Sequence, residues 1–130
     1  MSVIANILLV AAGGSAGALT RFGISAWLSG RFQLQNWWGI LAVNVLGCFL
    51  AGIVAGVAPN FQIPEHYRNL ISIGFLGSLT TFSAFATDLF SLADSAGIVR
   101  SLAHLSLTVI FTILAFAAGM FLCRYISSLA

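Results

Sequence analysis

The chain contains no lysine, only three carboxylates and only five arginines, so 6% of its 130 residues are charged. A soluble domain carries about 25%. That scarcity excludes an ordinary water-facing globular protein, and a net charge of +2 spread over five separated arginines makes no basic stripe for nucleic acid. Proline is nearly absent too: Pro59 and Pro64 sit together in one short segment, so long helices can run uninterrupted elsewhere. The two cysteines, Cys48 and Cys123, lie inside apolar runs and read as packing residues with no disulfide framework around them.

What the chain has in excess is apolar surface, at 60% hydrophobic residues and a mean hydropathy of +1.06. Charges interrupt it so rarely that four uncharged stretches remain: Val3 to Thr20, Trp37 to Ala58, Asn69 to Thr87 and Ser101 to Cys123. Each approaches or exceeds the roughly 18 to 20 residues that cross a bilayer. The expectation is an all-α integral membrane protein, one domain over residues 1–130 with spans near 3–28, 37–58, 67–90 and 98–126. The first run has no basic residue ahead of it and continues past Arg21 to Trp27, which reads as a retained span rather than a cleaved leader. Short polar connectors fall at Ser29 to Asn36, Pro59 to His66 and Ser91 to Gly97. Trp27, Trp37 and Trp38 flank the first of these as interfacial anchors.

Arginine placement leaves orientation nearly tied. Arg68 and Arg124 fall on one side, Arg31 and Arg100 on the other, with Arg21 just inside the first span. So weak a bias permits insertion both ways up, and hence an antiparallel homodimer, as readily as one fixed orientation. The small-xxx-small pairs Gly13 and Gly17, Gly14 and Ala18, and Gly52 and Gly56 predict close helix packing.

Polar residues inside the spans carry the chemical information, because each needs a partner or a wet path. Arg21 can snorkel to its interface. Asn44 lies too deep in the second span to do so, and its amide either joins two helices or presents a donor to an anion. The third span reads Gly74-Phe75-Leu76-Gly77-Ser78-Leu79-Thr80-Thr81-Phe82-Ser83-Ala84-Phe85. Its two glycines and four hydroxyl residues predict a break near Gly77 to Thr81, facing protein or a polar cavity. Phe82 and Phe85 share a helix face just beyond it, and His104, Thr108 and Thr112 form a polar stripe on the fourth span. Amide N–H groups, hydroxyls and aromatic edges suit a small anion; a proton-coupled cation exporter would want a buried acid that the first, second and fourth spans lack.

These residues resemble the Fluc or CrcB family of small dual-topology fluoride channels. The resemblance lies in the segments 13–22 (GGSAGALTRF), 39–50 (GILAVNVLGCFL) and 74–85 (GFLGSLTTFSAF), the last the most specific, and covers essentially the whole chain. It implies an antiparallel homodimer in the bacterial inner membrane, with two passive pores that select fluoride over chloride and relieve fluoride toxicity. It also implies a structural sodium ion at the dimer interface, held by backbone carbonyls of Gly77 and Thr80. Asn44, Phe82 and Phe85 match pore residues, and Arg21 matches the arginine near a pore mouth. Thr81, Ser83, Thr108 and Thr112 are candidates for a hydroxyl track, with His104 near its outer end. The chain departs from the family pattern at Ala84, where relatives commonly have threonine. No enzymatic activity is implied. Two other readings stay open on the residues alone: a small dual-topology exporter, and an assembly subunit in which Asn44 and the glycines only pack helices.

Overall fold

The computed structural model describes residues 2–32, 35–57 and 64–129. Helix α1 (Val3–Phe32) and helix α2 (Asn36–Val57) form the first two spans. The third span is broken into α3 (65–79) and α4 (Phe82–Ala96), and α5 (Ile98–Ser128) is the fourth. Among the described residues, four helical stretches are long and apolar enough to cross a membrane, which makes the chain a multi-pass membrane protein.

Lipid is as apolar as leucine, so helices in a bilayer are held by close packing and hydrogen bonds rather than by hydrophobic burial. The glycines supply the close packing. A side chain at Gly13 or Gly17 would collide with the carbonyls of Leu70 and Phe75, which lets α1 lie directly on the backbone of α3. Gly52 meets the Phe116 carbonyl, and Gly119 meets that of Phe49, so α2 and α5 approach reciprocally along their most extensive contact. The pair Gly52 and Gly56 therefore packs α2 against α5, with Gly56 beside Met120 and Cys123. Val43, Leu76 and Leu79 form the buried centre where α2 meets the end of α3.

The break sits at Thr80 and Thr81, inside the predicted window. Thr80 (φ −81, ψ 147) and Thr81 (φ −148, ψ 124) are extended, and α4 restarts at Phe82. The eight residues before the last turn of α3, Asn69–Leu76, are wound as a π-helix. Such wide turns are rare and concentrate at functional sites. At the far end of α4 the polar run Ser91 to Gly97, expected as a connector, is helical through Ala96. Its serines do not interrupt the helix because Ser95 Oγ donates back to the Ser91 carbonyl at 2.7 Å. The reversal is made by Gly97 (φ 90, ψ 157) with Ser101 Oγ donating to the Leu89 carbonyl at 2.7 Å across the corner. Of the expected second connector, residues 59–63 lie outside the described residues, while Glu65 and His66 already belong to α3.

Candidate functional site

A break in a membrane helix exposes backbone groups that must find partners. Asn44 of α2 supplies two of them. Its Oδ1 accepts the Thr81 N–H at 2.8 Å, and its Nδ2 donates to the Thr81 carbonyl at 3.2 Å. The amide therefore clasps both polar groups of one residue, while its second N–H carries no bond to the described residues. Thr81 in turn caps α4: its Oγ1 accepts the Ala84 N–H at 3.3 Å and lies 3.1 Å from Ser83 Oγ. Thr80 folds back, with its N–H and Oγ1 both donating to the Leu76 carbonyl at 3.1 and 3.0 Å.

This bonding frees two carbonyls. In a continuous α-helix the N–H groups of Thr81 and Ala84 would bond to the carbonyls of Gly77 and Thr80. Here Thr81 N–H is taken by Asn44, and Ala84 N–H by the Thr81 hydroxyl. The carbonyls of Gly77 and Thr80 are thus relieved of their helical donors, as a hard, weakly charged cation bound by neutral oxygens requires. Among the described residues no cluster of three or more His, Cys, Asp or Glu could hold a metal instead.

A cavity of about 240 Å³ opens beside the break. Asn44 and Cys48 line it from α2, Thr80 and Thr81 from the break, Phe82 and Phe85 from α4, and Thr108, Val109 and Thr112 from α5. Seven of the expected site residues are brought together there. Arg21, Gly77, Ser83 and His104 are not among those lining it, though Ser83 reaches it through Thr81, and His104 backs it from behind Phe85. Cys48, read from the sequence as a packing residue, lines the cavity as well, and so does Val109, which the sequence does not mark. Cys48 stands four residues after Asn44 on the same face of α2, and that spacing was the available signal.

The two phenylalanines differ in setting. Their ring centroids are 5.6 Å apart and tilted 57°, but Phe85 is 4% exposed whereas Phe82 is 79% exposed. Around the cavity the hydroxyls divide likewise. Thr112 Oγ1 is spent on the Thr108 carbonyl at 2.7 Å, while Thr108 Oγ1 faces His104 Nδ1 at 3.5 Å, the long limit of a hydrogen bond. With the imidazole proton on Nδ1, the Thr108 hydroxyl hydrogen is left for the cavity. Among the described residues no carboxylate lines the cavity; the nearest in sequence, Asp88, lies one turn beyond Phe85 with its Oδ2 buried and unpartnered.

The fold and the site together define a small multi-pass membrane protein with a hydroxyl- and amide-lined cavity at the break of one span. A model of the family described as CrcB-like protein, Camphor Resistance (CrcB), matches residues 8–120, and the chain belongs to that family. It is 40% identical over 122 residues to the fluoride-specific ion channel FluC of Hahella chejuensis, covering 93% of this chain and 96% of that one. It is also 38% identical over 124 residues to the protein of the same name from Pseudomonas putida, covering 95% of this chain and all of the relative. The Pseudomonas fluorescens FluC is 38% identical over 121 residues, covering 91% of this chain and 96% of that one.

Proposed function

We propose that this chain forms a passive, fluoride-selective channel, assembled as an antiparallel homodimer with two pores and a central sodium ion, that lets fluoride leave the cell. The observation that carries this reading is the cavity at the break, lined by Asn44, by the threonines and by the rings of Phe82 and Phe85, with no carboxylate among the described residues that line it. Relatives matching nearly the full length bear the name of fluoride-specific channels.

Fluoride gives up a strong hydration shell only for a comparable set of donors. The unspent N–H of Asn44 is one, aimed before the ion arrives by the two bonds of that amide to Thr81, and the Thr108 hydroxyl is a second when the imidazole proton sits on His104 Nδ1. Thr81 and Thr112 continue the line of hydroxyls along the cavity, Thr112 with its hydrogen already given to the Thr108 carbonyl, and Ser83 joins it through Thr81; the phenylalanine edges carry the positive side of the ring quadrupole. The larger chloride ion gains less from such fixed, short-range donors, which is the source of selectivity. Arg21 on α1 is assigned to a pore mouth, where its charge would concentrate anions.

One feature supports a second copy: the cavity opens beside Phe82, 79% exposed, and the amide and hydroxyl groups in its lining would be costly to leave facing lipid. The carbonyls of Gly77 and Thr80 would hold the sodium ion, whose charge would tie the two broken spans together.

The test is efflux from liposomes holding the purified protein, followed with a fluoride electrode and repeated for chloride. Fluoride loss without chloride loss is the expected result. A folded protein that passes neither ion, with sodium present, overturns the proposal.

A further inference from the structure

Phe85 does not stand alone behind the cavity. Its ring lies 5.4 Å from that of His104, tilted 55°, and His104 in turn lies 4.9 Å from Trp37, tilted 57°. Trp37 stacks on Trp38 at 4.1 Å and 25°, so five rings run in contact from the start of α2 to Phe82 at the cavity. The middle ring is the telling one. His104 is 2% exposed, and among the described residues its buried Nε2 has no hydrogen-bond partner and its Nδ1 only the long Thr108 contact. Hydrogen bonds therefore do not set the plane of this imidazole; the rings on either side do. Trp37 is itself anchored, since its Nε1 donates to Gln35 Oε1 at 2.7 Å.

We propose that Trp37 is a positioning residue for Phe85, acting through His104 as the outer support of an aromatic row that ends in the cavity. The proposal rests on the channel reading above. Without the indole, a void opens behind a buried imidazole that has no strong bond to hold it, and His104 turns into that void. Phe85 then loses its back wall, and its edge leaves the place where it meets the ion. Displacements of about 1 Å at such a distance can cost up to about a hundredfold in rate. Position 37 thus influences conduction although its side chain does not line the cavity.

The test compares Trp37→Leu and Trp37→Phe in liposomes against the wild type, with dimer content and unfolding temperature measured on each. Should the leucine variant fail to assemble, Trp37→Met, flexible and without a ring, takes its place. The expected result is a loss of about tenfold or more in fluoride efflux for the ringless variant at unchanged dimer content, with the rate restored by phenylalanine. Restoration by phenylalanine, which has no N–H to donate to Gln35, is what a role in anchoring alone does not produce. Equal efflux in the ringless variant and the wild type overturns the proposal, as does a phenylalanine variant no faster than the ringless one. A wild type that passes no fluoride removes the channel reading and this proposal with it, and is seen before any variant is compared.

Discussion

Asn44 holds the break closed with two hydrogen bonds to one residue, and their loss has a definite cost. Asn44→Ala leaves the Thr81 N–H and carbonyl without partners in a place water reaches poorly, at about 1–3 kcal/mol each. The unfolding temperature in detergent should fall clearly. Asn44→Asp separates structure from conduction: Oδ1 still accepts the Thr81 N–H, while the other oxygen sets a negative charge against the Thr81 carbonyl and in the anion path. A dimer that assembles with fluoride efflux reduced about a hundredfold or more is expected, a few kcal/mol at low effective dielectric. Wild-type efflux in Asn44→Asp would remove Asn44 from the pore. Phe82→Ile should behave similarly in kind, because a side chain so exposed contributes little to the single chain's packing but flanks the cavity. The dual position of Asn44 was legible as an alternative, helix glue or anion donor. The structure shows the glue and leaves one N–H for the other role.

At the scale of the elements, the third span was readable as weak where it breaks, since Gly77, Ser78, Thr80 and Thr81 crowd one turn. What the residues could not tell is which peptide would be taken by which partner. That depended on α2 bringing Asn44, 37 positions away, against Thr81. The π-helical winding of Asn69–Leu76 was invisible for the same reason: no residue type specifies it, and it accompanies the close seating of α3 on Gly13 and Gly17 of α1. The corner between α4 and α5 differs from the expected connector, because serines look like loop residues until a side chain such as that of Ser95 bonds back within the helix. Gly97 alone turns the chain, in a region of φ and ψ essentially closed to other residues. Gly97→Ala is expected to destabilise the fold by about 1–3 kcal/mol, read from denaturant unfolding in micelles. An unchanged midpoint would mean the corner relaxes without strain.

At the scale of the whole molecule, the proposed reading is that a second copy completes the chain. Its cavity is open beside an exposed phenylalanine, and two freed carbonyls near it have no helical donor. If Gly77 and Thr80 bind sodium between two copies, complete replacement of sodium by a large organic cation should lower dimer content or fluoride efflux; indifference of both would count against that site. The near-tie in arginine placement has its consequence at this scale also. Adding two lysines to the N-terminal segment should bias insertion one way. Efflux should then fall when that variant is expressed alone and recover when it is coexpressed with one biased the opposite way, if copies pair antiparallel.

By itself the sequence determined the membrane, the four spans, the region of the break and the residue types that would crowd it. These follow from the scarcity of charge, from apolar run length and from local helix weakness, all properties of neighbouring residues. Only the tertiary structure decided that Asn44 clasps Thr81, that Phe85 is buried and Phe82 bare, that Cys48 joins the cavity, and that Trp37 stands behind His104. The reason is physical. Each of those relations joins residues on different helices, and their register is set by where glycines allow backbones to touch, which depends on how whole helices pack and not on any one of them.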